Sequence, residues 1–257
     1  MCETNSDWGW LISDEVLERY SRQILLPEID LAGQGRLSRA RVVIVGCGGL
    51  GSMVGLFLAG AGVGHLRLVD HDKLEMSNLH RQLAFRERDI GAYKATALQA
   101  QLAALNGDVQ IESVTQRFGE NIANDRSVLA DIDLVIDATD NLESRHAIEK
   151  YTREFGIPWI MGAASRLHGQ VIAFSGSRVE GCYRCIAPTD DGPGFDCRSE
   201  GVLASVVGVI AAWQAQDALI YLARQREPLW GLLRVYDALE QHIERLYVAA
   251  PGGCGHD

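Results

Sequence analysis

A glycine-rich turn between a short apolar segment and a helix-forming segment constrains the fold of this chain more than any other feature. Residues 41–45 (RVVIV) are a β-branched run, which predicts a buried parallel strand. Residues 46–51 (GCGGLG) follow directly and fit G-x-G-x-x-G, and the small residues of 50–61 predict a helix. Such a turn lets backbone N–H groups and a helix N-terminus approach a phosphate. The pattern therefore predicts a nucleotide site on a βαβ unit.

The alternation of strands and helices continues along the chain. It predicts an α/β fold with a Rossmann-like, doubly wound, mainly parallel sheet, and a C-terminal extension that continues the same sheet. The C-terminal tail of the chain is a candidate zinc-binding segment. The predicted strands are 65–70, 109–114, 133–138, 159–162, 170–174, 233–237 and 242–248, and the predicted helices are 14–27, 93–105, 143–155 and 202–225.

The composition excludes several classes of protein. Lys and Arg number 24 against 34 Asp and Glu, and this net charge of -10 argues against nucleic-acid binding by bulk charge. Six cysteines in 257 residues do not make a disulfide framework. The most apolar run, 201–222, is interrupted by Gln214, Gln216 and Asp217, and the N-terminus is too polar for a signal peptide. We expect a soluble cytoplasmic protein without a nucleic-acid or membrane partner.

Charged residues follow the predicted strands at the edge where ligands bind in such sheets. Asp70 lies 19 residues after Gly51 (70 − 51) and can accept hydrogen bonds from ribose hydroxyls. Arg81 and Lys94 could both reach a triphosphate, whereas a dinucleotide would not need both, so they favour ATP over NAD(H). Asp140 is a candidate ligand for Mg²⁺, which prefers carboxylate oxygens. For each cation taken singly, and for Arg22 on the N-terminal helix as a third candidate, the alternative is a solvated surface charge.

These motifs together resemble the ThiF/MoeB/HesA family, the bacterial relatives of ubiquitin-activating enzymes. The matching segments run in family order from residue 19 to about 225: RYSRQILLP at 19–27, VVIVGCGGLGS at 42–52, DHD at 70–72, SNLHRQ at 77–82, Gly91 with Lys94, DATDN at 137–141, Gly162 with GQV at 169–171, CYRC at 182–185 and GVL at 201–203.

The resemblance implies an ATP-dependent adenylyltransferase. Its substrate would be the C-terminal glycine of a ubiquitin-like sulfur-carrier protein ending in Gly-Gly. That carboxylate would attack the α-phosphate of Mg·ATP, release pyrophosphate and leave an acyl-adenylate for thiocarboxylate formation. The MoaD-type carrier of molybdopterin synthesis is slightly preferred over the ThiS-type carrier of thiamine synthesis. A separate sulfur donor, a cysteine desulfurase or a rhodanese, would be needed.

The resemblance also implies roles for individual residues. Arg81 and Lys94 would contact phosphates, Asp140 would handle the magnesium, and Arg22 would reach into a neighbouring subunit's site, since family members are homodimers. The implied domains are an N-terminal helical segment (1–40), an ATP-binding Rossmann-like subdomain (41–165) and a C-terminal carrier-binding subdomain (166–257) with a crossover loop and the Cys-x-x-Cys. The residues implied to bind ATP are Gly46, Gly48, Gly49, Gly51, Asp70, Asn78, Arg81, Lys94, Asp140 and Asn141.

Cys182-x-x-Cys185 supplies half of a tetrahedral zinc site. In the family a second Cys-x-x-Cys near the C-terminus completes the site, but this chain has only Cys254 and His256 there. We hypothesise a zinc site of Cys182, Cys185, Cys254 and His256. The alternative is a degenerate site without metal.

Cys197 lies where some relatives carry a cysteine that forms a persulfide or thioester with the carrier. The adjacent Arg198 and a following helix N-terminus would lower its pKa and make thiolate available. The alternative is an idle cysteine, since adenylation alone does not need one. Cys47, inside the glycine turn, is predicted to be a small buried filler.

Two alternatives from other functional classes stay open. An NAD-dependent oxidoreductase would need a nicotinamide site, which no residue specifically provides. A non-catalytic scaffold for a ubiquitin-like protein predicts the loss of Arg81, Lys94 or Asp140, and all three are present.

Overall fold

Eight strands form one sheet in the computed structural model, which describes residues 13–177, 181–186, 201–224 and 226–248. The sheet order is β3-β2-β1-β4-β5-β6-β7-β8. The first five strands in this order pair in parallel and the last three are added antiparallel, which confirms the predicted architecture. The strands are β1 (Arg41–Val45), β2 (His65–Val69), β3 (Gln110–Val114), β4 (Leu134–Asp137), β5 (Trp159–Ser165), β6 (His168–Phe174), β7 (Leu232–Asp237) and β8 (His242–Tyr247).

The helices of the described residues agree with most of the predicted ones. They are α1 (Asp14–Ile24), α2 (Asp30–Leu37), α3 (Gly49–Gly60), α4 (Lys94–Leu105), α5 (Ile122–Val128), α6 (Leu142–Phe155), α7 (Tyr183–Ile186) and α8 (Ala204–Leu222), with 3₁₀ turns at Met76–Asn78 and Glu87–Asp89. The short helices α2 and α5 were not predicted, because two glycines weaken the pattern of α2 and α5 has only 7 residues. The Cys182–Cys185 segment, predicted as a loop, instead begins a helical turn in which the Cys185 N–H donates to the Cys182 carbonyl at 3.0 Å.

Both faces of the sheet are covered by helices, which explains why its central strands are apolar without alternation. Val42 and Ile44 of β1 point into a core shared with α3, α4 and α8. Val43 and Val45 point into the opposite core, which includes Ile148 of α6.

Helix α8 is long and apolar enough to cross a membrane by length and composition alone. It packs against α3, β5 and β6 instead, and Val206, Ile210 and Ala218 are buried in the core. Gln214 on the same helix is fully buried. This is the environment of a core helix.

The strand order changes direction between β1 and β4, because β2 follows on one side of β1 and β4 lies on the other. Ligands of open α/β sheets bind in the crevice at such a point, beyond the carboxyl ends of the strands. The glycine turn follows β1 and the Asp137–Asp140 segment follows β4, so the topology brings these two motifs together.

Candidate nucleotide-binding site

A cleft of about 920 Å³ opens at the carboxyl ends of β1, β2 and β4. Within the described residues, Gly51 and Arg22 do not line it, and neither do Cys182 and Cys185. The predicted site residues that do line it are Gly46, Gly48, Gly49, Asp70, Asn78, Arg81, Lys94, Asp140 and Asn141. The structure therefore gathers nearly all of the predicted nucleotide contacts around one cavity.

The glycines of the turn meet distinct steric requirements. Gly46 has φ +91°, and a Cβ there would lie 2.6 Å from the Ala138 carbonyl oxygen beyond β4. A Cβ on Gly51 would overlap the Gly46 carbonyl, so Gly51 allows α3 to pack closely on the turn. Helix α3 begins at Gly49, and the unpaired N–H groups of its first turn therefore lie at the cleft.

The carboxylate of Asp70 is held by two backbone N–H groups, one of which belongs to the glycine turn. Its Oδ2 accepts the Cys47 N–H at 2.7 Å, and its Oδ1 accepts the Asp72 N–H at 2.7 Å. Burial raises the pKa of Asp70, against the opposing effects of Lys94 and these two hydrogen bonds. Each carboxylate oxygen has a further lone pair, so Asp70 can also accept hydrogen bonds from ribose hydroxyls.

Two cations lie on the loop and helix beyond β2. Lys94 is only 7% exposed, and its Nζ lies 2.8 Å from Asp72 Oδ2, a partner that the sequence analysis did not single out. Arg81 is partly exposed, and its Nη1 donates to the Ser77 carbonyl at 3.0 Å. Asn78 is buried and its Oδ1 accepts the Glu75 N–H, which secures the 3₁₀ turn before Arg81. The cleft can thus present two positive charges to phosphate oxygens.

The segment after β4 places Asp140 at the mouth of the cleft, exposed to solvent. Asn141 is the N-cap of α6, and its Oδ1 accepts the Ser144 N–H at 2.9 Å. The side chain that caps this helix is therefore that of Asn141 and not that of Asp137. Asp137 is fully buried, and its Oδ1 accepts the N–H and hydroxyl of Thr139 at 2.9 and 2.7 Å. Burial raises the pKa of Asp137, opposed mainly by the nearby Arg145 guanidinium.

Two buried side chains that sequence reasoning missed hold this segment from opposite faces of the sheet. Gln214 of α8 donates from Nε2 to the carbonyls of Asp137 at 2.8 Å and Ile160 at 3.1 Å. Arg145 of α6 donates from Nη2 to the Thr139 carbonyl at 2.7 Å. Helical spacing in the sequence could have indicated that Arg145 is buried, since Arg145 and Glu149 lie four residues apart on the buried face of α6.

Arg22 lies at the other end of α3 from the glycine turn. Its neighbour Gln23 donates to the Ala61 carbonyl at 3.1 Å, just past the end of α3. A 12-residue helix is about 18 Å long. The N-terminal helix is therefore anchored far from the cleft of its own chain.

The cysteines separate into two groups. Cys47 is fully buried in the glycine turn, and burial raises the pKa of its thiol well above the usual value, in agreement with a packing role. The sulfurs of Cys182 and Cys185 lie 3.8 Å apart. Two thiolates 2.3 Å from one tetrahedral zinc ion would be separated by about 3.8 Å, so the pair fits half of such a site. Cys197, Cys254 and His256 lie outside the described residues.

Comparison with known proteins agrees with this geometry. The ThiF family profile matches residues 20–255. The sulfur carrier protein ThiS adenylyltransferase of Escherichia coli is 38% identical over 244 residues, covering 95% of this chain and 96% of that protein. The molybdopterin-synthase adenylyltransferase of Salmonella typhimurium is 36% identical over 243 residues, covering 95% and 97%. The structure of E. coli MccB with ATP aligns with a TM-score of 0.80 at 25% identity, covering 93% of this chain and 75% of that one. Since the family profile matches most of the chain and the relatives match it along nearly their whole length, this chain belongs to the ThiF family.

Proposed function

We propose that this protein uses ATP to adenylate the C-terminal glycine of a ubiquitin-like sulfur-carrier protein. The observation that carries the proposal is the single cleft in which the glycine turn, Asp70, Arg81, Lys94 and Asp140 converge. The E. coli and Salmonella relatives are both named as adenylyltransferases, and each matches 95% of this chain. This family context supports adenylation over an NAD-dependent oxidoreductase and over a non-catalytic scaffold.

The chemistry needs positioning and charge neutralisation more than acid–base catalysis. A C-terminal carboxylate is already ionised at neutral pH. One of its oxygens forms a bond to the α-phosphorus, while the bond from that phosphorus to the bridging oxygen breaks and pyrophosphate leaves. Asp70 orients the ribose, and Arg81 and Lys94 neutralise the phosphate oxygens. Asp140 would hold the magnesium, which supplies further neutralising charge at the phosphates.

Residues 41–165 would bind ATP and residues 166–257 would bind the carrier. The lining of the cleft supports this division, because it includes three residues of the C-terminal part of the chain: Gly201, Val202 and Val207. The protein would act in the cytoplasm as a homodimer, with a separate cysteine desulfurase or rhodanese as the sulfur donor. The distance of Arg22 from its own cleft favours a role in the neighbouring subunit's site.

A structural zinc ion would be held by Cys182, Cys185, Cys254 and His256. The 3.8 Å separation of the first two sulfurs supports this ligand set. Metal analysis of protein purified without a histidine tag should give about one zinc per chain. Less than half an equivalent would exclude the site.

The Cys197 thiolate would attack the acyl carbonyl of the carrier adenylate, so that a thioester forms and AMP leaves. A Cys197→Ser variant should keep pyrophosphate exchange, because adenylation does not need the thiol, and should lose sulfur transfer in a reconstituted assay. Full sulfur transfer by the variant would exclude the nucleophile role.

The decisive experiment is ATP–pyrophosphate exchange, run without carrier and then with a ThiS-like and a MoaD-like carrier. Exchange with one carrier alone would establish adenylation and name the pathway, for which the MoaD type is slightly preferred. Lys94→Ala should slow exchange by roughly 100-fold, whereas Lys150→Ala, an exposed lysine of α6, should not change it. Binding of ATP without exchange would mean a different carrier or a scaffold, and no binding of ATP would return the dinucleotide alternative.

A further inference from the structure

A buried guanidinium connects the Asp137–Asp140 segment to the Cys182–Cys185 segment. Arg145 is 3% exposed. Its Nη2 donates to the carbonyl of Thr139, the residue before Asp140, at 2.7 Å. Its Nη1 donates to the Tyr183 hydroxyl at 3.2 Å. One side chain therefore contacts both segments, although they are more than 40 residues apart in sequence.

Tyr183, between the two cysteines, also contacts other residues of α6, the helix that carries Arg145. It is 3% exposed, and its backbone N–H donates to Glu149 Oε1 at 2.7 Å. Its ring lies edge-on to His146 with centroids 5.6 Å apart. Because Arg145, His146 and Glu149 all belong to α6, the position of Tyr183 is tied to that helix by three contacts.

A third polar atom of the Arg145 guanidinium faces Asp137 but lies too far from it for a hydrogen bond. Arg145 Nε lies 3.9 Å from Asp137 Oδ2, and among the described residues neither of these buried atoms has a hydrogen-bond partner. Since an unpaired buried polar atom is costly, a small shift that closes this gap would be favourable. A guanidinium is planar, so a movement of Arg145 toward Asp137 also moves the groups that bond Thr139 and Tyr183.

We propose that Arg145 is a positioning residue that couples the Cys182–Cys185 segment to Asp140, so that the Tyr183 hydroxyl helps to set the affinity of the cleft for magnesium-bound ATP. This inference rests on the proposed function, because it assigns Asp140 to the magnesium. Arg145 is among the residues that line the cleft, and the role proposed for it acts through the Thr139 carbonyl and the residue that follows.

The test is Tyr183→Phe, which removes the hydroxyl that Arg145 contacts and keeps the ring. The matched control is Tyr151→Phe, since Tyr151 is an equally buried tyrosine of α6 that packs on Phe118 and, within the described residues, has no hydrogen bond to the Asp137–Asp140 segment. Binding of ATP to the full-length protein is measured by titration calorimetry, once with magnesium and once in EDTA. Arg145→Lys, which keeps the charge and loses the planar fork, is measured in the same way.

Tyr183→Phe and Arg145→Lys should each weaken magnesium-ATP binding by about fivefold or more and leave binding in EDTA unchanged, while Tyr151→Phe changes neither. An equal loss with and without magnesium would show a merely structural role and overturn the coupling. Wild-type affinity in Tyr183→Phe would overturn it as well. Failure of the wild-type protein to bind ATP at all would overturn the proposed function and the coupling together, so the two failures are distinguishable.

Discussion

Substitution of Gly46 by alanine tests whether the glycine turn is fixed by crowding or by backbone conformation alone. The φ of +91° costs an alanine about 1–2 kcal/mol in any surroundings. A Cβ would also lie 2.6 Å from the Ala138 carbonyl oxygen, where real contacts are about 3.0 Å or longer. Crowding of this kind adds about 1–3 kcal/mol. We therefore expect Gly46→Ala to lose about 2–5 kcal/mol of unfolding free energy.

Gly91→Ala is the matched control. Gly91 has φ +88°, almost the same as Gly46, but nothing lies within 4 Å of a Cβ built there. It should lose only the conformational part, about 1–2 kcal/mol. Urea denaturation of both variants gives the two free energies, provided that the slopes of the transitions agree with the wild type.

The same pair of variants separates stability from nucleotide binding. If the turn must move to relieve the contact with Ala138, phosphate loses at least one backbone hydrogen bond, and a bond to a charged group is worth about 1.5 kcal/mol or more. Gly46→Ala should thus bind ATP at least about tenfold more weakly, with Gly91→Ala within about twofold of the wild type. Equal destabilisation and equal ATP affinity of the two variants would refute the argument from crowding.

Three further predictions follow from burial. Burial raises the pKa of Asp70, and only the ionised carboxylate accepts hydrogen bonds from both ribose hydroxyls. As the pH is lowered, ATP affinity should therefore begin to fall at a higher pH than it would with an ordinary aspartate. Calorimetry across the acidic range should show this fall in the wild type and not in Asp70→Asn. Trp159 is 1% exposed and stacks on Phe174 with ring centroids 4.6 Å apart. Its replacement by alanine should lower the unfolding free energy by about 3–5 kcal/mol. A loss below about 1 kcal/mol in urea denaturation would contradict its place in the core. Cys47 should resist iodoacetamide in the native protein and react after unfolding, as peptide mass spectrometry can show; its modification in the native state would mean that the turn opens.

The βαβ unit and the ligand cleft at the ends of its strands could be predicted from local patterns in the sequence. A β-branched run, a glycine turn and a helix of small residues are local patterns, and their periodicity fixes strand or helix without reference to the rest of the chain. The parallel strand order then follows from the alternation of elements, and the carboxyl ends of those strands carry Asp70 and Asp140 to one edge. The short helices α2 and α5 lacked such periodicity, so they could not be predicted.

The polar groups that support the cleft could not be predicted from the sequence, because they come from elements that are distant along the chain. Asp72 pairs with Lys94 across 22 residues, Gln214 reaches Asp137 across 77, and Arg145 reaches Tyr183 across 38. Each of these partners is chosen by the way a helix packs on the sheet, which no local pattern encodes. The same reason applies to Asp137, whose burial beside Arg145 of α6 no local pattern indicates. Residue identities near a strand end specify that a ligand site is present; the packing of α6 and α8 specifies how it is held.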